Sequence, residues 1–159
     1  MTRTDCVINA IQDIRDLPAD RKWVGEGVAA NAISTAEQRL GCRFPKPFIS
    51  FLEAFGWGGP DPTEIFGLSE RLGEVDYPNL VRENLKARRE DDLPEDLLVF
   101  AGTGDGGRYV LGTGMQSDGA VRVWYPGRGL GMEDLEISDE SFGEWLTRGV
   151  DLAHSTKDL

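Results

Sequence analysis

Three glycines at the spacing G-x-G-x-x-G are the first feature of the chain that could carry chemistry. Gly102, Gly104 and Gly107 follow a predicted strand, and such a loop binds a pyrophosphate when a helix begins directly after it. Here residues 108–112 read Arg-Tyr-Val-Leu-Gly, which is a strand pattern, and no acidic residue closes a second strand as dinucleotide-binding folds require. The glycines therefore predict a tight hairpin turn and not a nucleotide site.

Other residues with catalytic potential are few. His154 is the single histidine, so a Ser-His-Asp triad or a multi-histidine metal site cannot be built without this residue near the C-terminus. Adjacent acids could serve glycosidase or divalent-cation chemistry, but such pairs are more often solvated faces or helix caps. These pairs are Asp91-Asp92, Glu95-Asp96, Glu133-Asp134 and Asp139-Glu140. We predict no catalytic residue, no metal site and no cofactor, and hence a protein that is not an enzyme.

The longest biased stretch, residues 129–146, contains six acids and no base. We predict that it forms a surface for a basic protein partner, since complementary charge speeds encounter; an acidic face that only keeps the protein soluble is the alternative. Asp105 and Asp118 lie in turns that could approach it, although both are also ordinary turn formers. The candidate partner-binding acids are Asp105, Asp118, Glu133, Asp134, Glu136, Asp139 and Glu140.

Trp57 is the candidate aromatic contact. It lies in the Gly- and Pro-rich tract of residues 56–62, which has loop composition, and tryptophan is enriched at the centres of protein interfaces. A ring that only covers the end of the preceding helix is the alternative. Trp124 and Trp145 fall at predicted core positions.

Net charge limits the classes of partner. The chain has 28 acidic and 17 basic residues, a net charge of -11, which repels the phosphate backbone of nucleic acids. Residues 1–80 contain 12 acids and 8 bases, whereas residues 81–159 contain 16 acids and 9 bases. No apolar run reaches the length of a membrane span and no secretory cleavage pattern is present. We therefore expect a cytoplasmic protein without nucleic-acid or membrane partners; the oligomeric state is left open.

Helical periodicity dominates the first half. Apolar residues predict a helix over residues 5–16, and the capping-box pair Ser34 and Glu37 predicts a second helix that ends at Gly41. A third helix should begin near Pro45 or Pro47 and end at Gly56, with one apolar stripe along its length. That stripe comprises Phe48, Phe51, Leu52 and Phe55.

Strands dominate the middle of the chain. Residues 63–68 predict a short strand, and Asp76 is the expected cap of a helix that runs to about residue 90. Residues 97–101, 108–112 and 120–125 predict an antiparallel meander. A further strand is expected near residues 135–137, and Ser138 or Asp139 is then expected to cap a C-terminal helix. The order predicts a single α+β domain over residues 1–159, with an antiparallel sheet and helices packed on one side.

An ordered series of motifs resembles the SUKH (Smi/Knr-like) superfamily. Residues 33–45, ISTAEQRLGCRFP, are followed by Phe48, Phe51-Leu52 and Phe55-Gly56, as in the signature of that family. Phe44 stands where the family usually has leucine, a change that keeps a core side chain. Later motifs follow in the family's order: residues 65–68 (IFGL), 93–101 (LPEDLLVFA), 105–111 (DGGRYVL), 121–124 (VRVW) and 141–146 (SFGEWL). The series runs from residue 33 to 148, so residues 1–30, a helix and its connection, lie outside it.

This resemblance implies a domain without catalytic activity. Members serve in bacteria mainly as immunity proteins that bind and block toxins, often nucleases, and in fungi as regulators of cell-wall synthesis. A nuclease site that holds phosphate is basic, so an acidic inhibitor is physically suited to it. We expect an immunity protein with a basic toxin domain as its partner, and a regulatory module of the Smi/Knr type without a toxin partner is the alternative.

Overall fold

A computed structural model describes residues 3–114, 117–127 and 134–155, with side chains from residue 6 onward. The helices are α1 (Arg3–Asp16), α2 (Ala30–Leu40), α3 (Lys46–Ala54), α4 (Leu80–Asp91) and α5 (Phe142–Ser155). The strands are β1 (Lys22–Val24), β2 (Gly58–Pro60), β3 (Leu97–Gly102), β4 (Arg108–Gly112), β5 (Val121–Trp124) and β6 (Glu136–Asp139).

The main sheet is an antiparallel meander in the order β3-β4-β5-β6. The three predicted strands of the meander are confirmed to within one residue at each end, and the predicted last strand lies one to two residues further along the chain. A separate antiparallel pair, β1 with β2, was not predicted. Ile65 links the two parts through single bridges to Gly58 and Ala101. The predicted continuous strand over residues 63–68 is therefore wrong, because this segment makes isolated bridges only.

Helices α1, α3 and α5 contact one another and form the layer that covers one face of the sheet. Four fully buried phenylalanines fill the space between them, with ring centroids 5.3 to 6.4 Å apart: Phe48, Phe51, Phe100 and Phe142. Gly143 permits the close approach of α5 to α1, because a Cβ there would lie 2.8 Å from the Val7 nitrogen. The predicted α+β fold with helices on one side of the sheet is confirmed.

The opposite face of the sheet has a smaller core and no helix laid across it among the described residues. Its members are Leu97, Val99, Val110, Trp124 and Leu135, joined by Ala87 and Leu93 from the end of α4 and its connection. Helix α4 instead runs along the outer edge of β3. There the side chain of Asn84 bonds to both backbone groups of Val99 at 2.8 Å.

Three predicted helix starts are wrong. Helix α2 begins at Ala30, so Ser34 lies inside the helix, and the Glu37 carboxylate accepts the Phe44 amide at 2.7 Å. Asn79, three residues after Asp76, caps α4 by accepting the Arg82 amide. Ser138 and Asp139 belong to β6, and Ser141 accepts the Glu144 amide at the start of α5. For α4 and α5, another polar residue, Asn79 or Ser141, therefore caps the helix in place of the predicted one. Helix α2 is preceded by Ala29 and has no side-chain cap.

The tract of residues 56–62 is wrong as a loop prediction, since it contains the buried strand β2. Its glycines serve the pairing with β1. A Cβ on Gly58 would lie 1.9 Å from the Trp23 carbonyl oxygen, and φ at Gly58 is +95°. Only glycine allows the two strands to approach so closely. The glycines that give this tract a loop-like composition are therefore the residues that allow β2 to pair with β1.

Candidate protein-binding surface

Strand β6 and the residues on either side of it form an exposed acidic strip. Asp134, Glu136 and Glu140 are all exposed, as the sequence-based prediction of a surface requires. Glu133 lies outside the described residues. Between these acids Ile137 is 46% exposed, an apolar side chain that the sequence analysis did not select. We call Asp134, Glu136, Ile137 and Glu140 the acidic edge.

Asp118 is not a free acid of this surface. Its carboxylate makes a two-pronged pair with Arg122, with oxygen-nitrogen distances of 2.9 and 2.8 Å. The hydrogen bonds from Arg122, followed by the Ala120 amide, hold the pKa of Asp118 well below its usual range. Glu140 also lies close enough to raise the pKa of the Arg122 guanidinium, after the larger effect of Asp118. The turn between β4 and β5 is thereby fixed to the start of β5.

Asp139 is likewise held within the fold. Its side chain is only 11% exposed and accepts two hydrogen bonds from Arg148 of α5, at 2.8 and 3.1 Å. Burial disfavours the charged form, but the bonds from Arg148 and Ser138 outweigh it, so the pKa of Asp139 lies below its ordinary value. The pair connects β6 to the helix layer. Asp139 therefore contributes structure at the inner side of β6 and little free charge.

Asp105 lies in the β3-β4 turn, where it organises the backbone. Its carboxylate accepts hydrogen bonds from the Thr103 hydroxyl, from the Tyr125 hydroxyl at 2.8 Å and from the Gly107 amide. These bonds, Thr103 first, lower the pKa of Asp105. The predicted hairpin turn is confirmed, with φ of +93° and +99° at Gly104 and Gly106. The hydrogen bonds of Asp105 thus stabilise the turn between β3 and β4.

Trp57 is buried, with 6% of its surface exposed. Its position therefore favours the alternative of a packing residue over that of a surface contact. Its ring meets Trp23 edge-on at 4.7 Å and lies 5.9 Å from Tyr77. The outward member of this group is Trp23, which is 57% exposed in β1. Sequence reasoning did not select Trp23 as a contact residue, because the three residues of β1 are too few to show an alternating pattern.

A groove of about 720 Å³ lies between the β3-β4 turn, the segment of residues 62–66 and the second half of α5. Tyr109 and Trp145 supply apolar walls, while Glu64, Arg108 and Arg148 supply charges of both signs. Because Arg148 is already paired with Asp139, the groove does not strongly select a ligand of one sign. We find no reason in its charges to assign it a specific ligand.

Side chains that could bind a metal ion are not clustered in the described part of the chain. His154 is exposed near the end of α5. Within residues 3–114, 117–127 and 134–155, no three histidine, cysteine or acidic side chains are grouped as a metal site. In the same residues no helix is both long enough and apolar enough to cross a bilayer.

Comparison with known proteins places the chain in a family. The family model SUKH_5, described as SMI1-KNR4 cell-wall, matches residues 7–151. The match begins within α1 and therefore takes in most of the N-terminal segment that the motif series left out. No curated protein matches the chain significantly. Since the family model spans most of the sequence and its ordered motifs fall on the observed strands and helices, the chain belongs to the SUKH family of SMI1-KNR4 proteins.

Proposed function

We propose that this protein is a cytoplasmic, non-enzymatic immunity protein that binds and neutralises a basic toxin domain of the nuclease kind. The observation that carries the proposal is the acidic edge. Asp134, Glu136 and Glu140 are exposed carboxylates on and beside β6, whereas the half-exposed Asp118 and the nearly buried Asp139 are each paired with an arginine. The acidic edge therefore offers a partner three exposed carboxylates around the exposed apolar side chain of Ile137.

Family membership supports this proposal at a coarser level. SUKH domains are generally non-catalytic and are associated with binding protein toxins or with regulation. A net charge of -11 adds long-range attraction for a basic partner. Such attraction can raise association rates by about 10- to 1000-fold at low salt. A phosphate-binding cleft in a nuclease offers the complementary positive field.

The immunity function predicts a toxin gene beside this one, and co-expression with the product of that gene tests the function directly. We expect a stoichiometric complex that survives gel filtration, and we expect the toxin's activity to be lost when the two proteins are mixed in equal amounts. The matched control is the same toxin mixed with a SUKH protein from an unrelated locus, which should leave it active. A toxin that stays fully active in the presence of this chain would refute the proposal.

A regulatory module without a toxin partner is the second candidate, and the family description, which refers to the cell wall, favours it. This function predicts that the proteins recovered with this chain from its native host are cell-envelope proteins or enzymes of cell-wall synthesis. It also predicts that no toxin gene lies next to the gene of this chain. Mass spectrometry of the co-purified proteins separates the two functions.

A further inference from the structure

The two edges of the main sheet are treated differently. The outer edge of β3 is closed: Phe66 donates to the Phe100 carbonyl at 2.8 Å, Ile65 bridges Ala101, and Asn84 satisfies both backbone groups of Val99. At the other edge β6 pairs with β5 alone. Among the described residues, no backbone group of residues 136–139 bonds to anything on its outer side.

Open edges are usually protected by lysine, proline or a bulge that turns the strand away from solvent. Strand β6 has the sequence Glu-Ile-Ser-Asp, with no lysine and no proline. Strand β6 has a bulge at Ser138, because Val121 pairs with Asp139 and Arg122 pairs with Ile137, which makes Ser138 the extra residue. Glu136 and Ile137, which precede the bulge, therefore keep regular extended geometry. Ile137 is exposed, and exposed acids lie at both ends of the strand.

We propose that β6 binds its partner by strand addition: an extended, basic segment of the toxin domain pairs with the outer edge of residues 136–139. This inference rests on the proposed function and specifies its binding mode. Main-chain hydrogen bonds supply affinity in such complexes, and alternate side chains supply specificity.

The register of β6 indicates which side chains the added strand carries. Glu136 pairs with Val123, which lies on the same face of the sheet as α5, whereas Ile137 pairs with Arg122 on the opposite face. Residues opposite one another across a strand pair share a face. The segment that fits therefore alternates a basic residue against Glu136 with an apolar residue against Ile137. Asp134 and Glu140 extend the preference for basic residues beyond both ends of the strand.

The same charges disfavour a second copy of this chain as the occupant. Pairing of β6 with its own copy places the carboxylates of the two acidic edges against each other, and like charges directly opposite in a strand pair are destabilising. A basic segment places positive charges against these carboxylates, so its charges stabilise the strand pair. The acidic edge thus selects a heterologous partner.

Nuclear magnetic resonance of the full-length, nitrogen-15-labelled protein tests the inference without any toxin. The probe is the acetylated and amidated peptide Lys-Val-Lys-Val-Lys-Val-Lys, titrated at low salt. We expect saturable shifts at residues 136–139, slower exchange of their outward amides, and little binding of the same peptide with glutamate in place of lysine. A peptide of equal charge with every internal amide methylated should bind at least about tenfold more weakly, because it cannot form the ladder.

Two protein variants complete the design. Glu136→Lys should weaken binding of the lysine peptide, whereas Glu95→Lys, an equal charge change at an exposed position before β3, should leave it nearly unchanged. Equal affinity for the methylated peptide, shifts confined to other strands, or no binding would overturn strand addition. If any of these occurs while the chain still inhibits the toxin, the binding mode alone is wrong. If the wild-type chain fails to inhibit the toxin, the proposed function itself is refuted.

Discussion

Replacement of Asn84 by alanine should be among the most destabilising single changes in the molecule. The side chain is 0% exposed and forms three hydrogen bonds. Its amide nitrogen donates to the carbonyls of Leu80 at 2.9 Å and Val99 at 2.8 Å, and its oxygen accepts the Val99 amide at 2.8 Å. Asn84 thus stands in for the missing neighbouring strand at the β3 edge. Asn84→Ala removes all three bonds together.

The expected cost follows from the groups that are left behind. Both the N–H and the carbonyl of Val99 would be buried without a partner, and each such group costs about 1 to 3 kcal/mol. The free energy of unfolding should therefore fall by about 2 to 6 kcal/mol. That is a large part of the 5 to 15 kcal/mol typical of a single domain.

Equilibrium unfolding in urea measures this change, with Asn31→Ala in the exposed first turn of α2 as the control. We expect the control to change the unfolding free energy by less than about 0.5 kcal/mol. Hydrogen exchange should also show faster exchange of the Val99 amide in Asn84→Ala. A loss below about 1 kcal/mol, with Val99 still protected, would contradict the closed-edge account.

Three further changes test other parts of the structure. Because the pKa of Asp118 is lowered on folding, its stabilisation is present above the ordinary value of 3.8 and is lost as the pH falls below it. The stability gap between wild type and Asp118→Asn, about 1 kcal/mol or less for this half-exposed pair, should therefore shrink in urea titrations below that pH. Trp57→Ala should cost about 3 to 5 kcal/mol in thermal unfolding, whereas Trp23→Ala should cost about 1 kcal/mol or less; equal costs would contradict the assigned burial. Gly41→Ala, at a φ of +67° with free space around it, should cost about 1 to 2 kcal/mol. Gly67→Ala should cost clearly more, since its Cβ would lie 1.7 Å from the Gly56 carbonyl oxygen; a smaller loss than at Gly41 would refute this.

The sequence predicted those elements whose apolar residues form a clear stripe or an unbroken run. The stripe of α3, with Phe48 and Phe51 fully buried, follows from its helical periodicity. Burial of one face requires this pattern, so the pattern identifies the element. Strand β3 is buried on both faces and follows from its apolar run between turn residues. The order of the elements also came from these patterns, and the motifs of the resembled family fall in the same order.

Helix starts were harder to predict because many residues can cap a helix. Ser34 and Glu37 match a capping box, yet α2 continues through both, and Glu37 accepts a hydrogen bond from the turn after the helix. Asp76 and Asn79 are equally suitable caps by residue type. Long-range packing selects among such residues, and a local pattern does not contain that information.

The charges of the candidate site were predictable, but their pairing was not. Arg148 is nine residues from Asp139 and lies on another element. Only the packing of α5 against β6 reveals that this acid is neutralised. The same holds for Trp57 and Trp23, where the unpredicted strand pair decides which ring faces solvent. The sequence thus predicts that the surface is negatively charged, and the fold determines which acidic residues are exposed on it.

The central claim is that the acidic edge recruits a basic toxin domain, and association kinetics test it most directly. The measurement compares wild type with the variant Asp134→Lys/Glu136→Lys/Glu140→Lys and with the control Glu53→Lys/Glu70→Lys/Glu95→Lys, which has the same net charge at exposed positions on other elements. We expect the edge variant to associate at least about tenfold more slowly than the control at low salt, and the difference to shrink as screening shortens from about 10 Å at 0.1 M salt to about 3 Å at 1 M. Equal rates for the two variants, or a wild-type rate that does not change with salt, would contradict the claim.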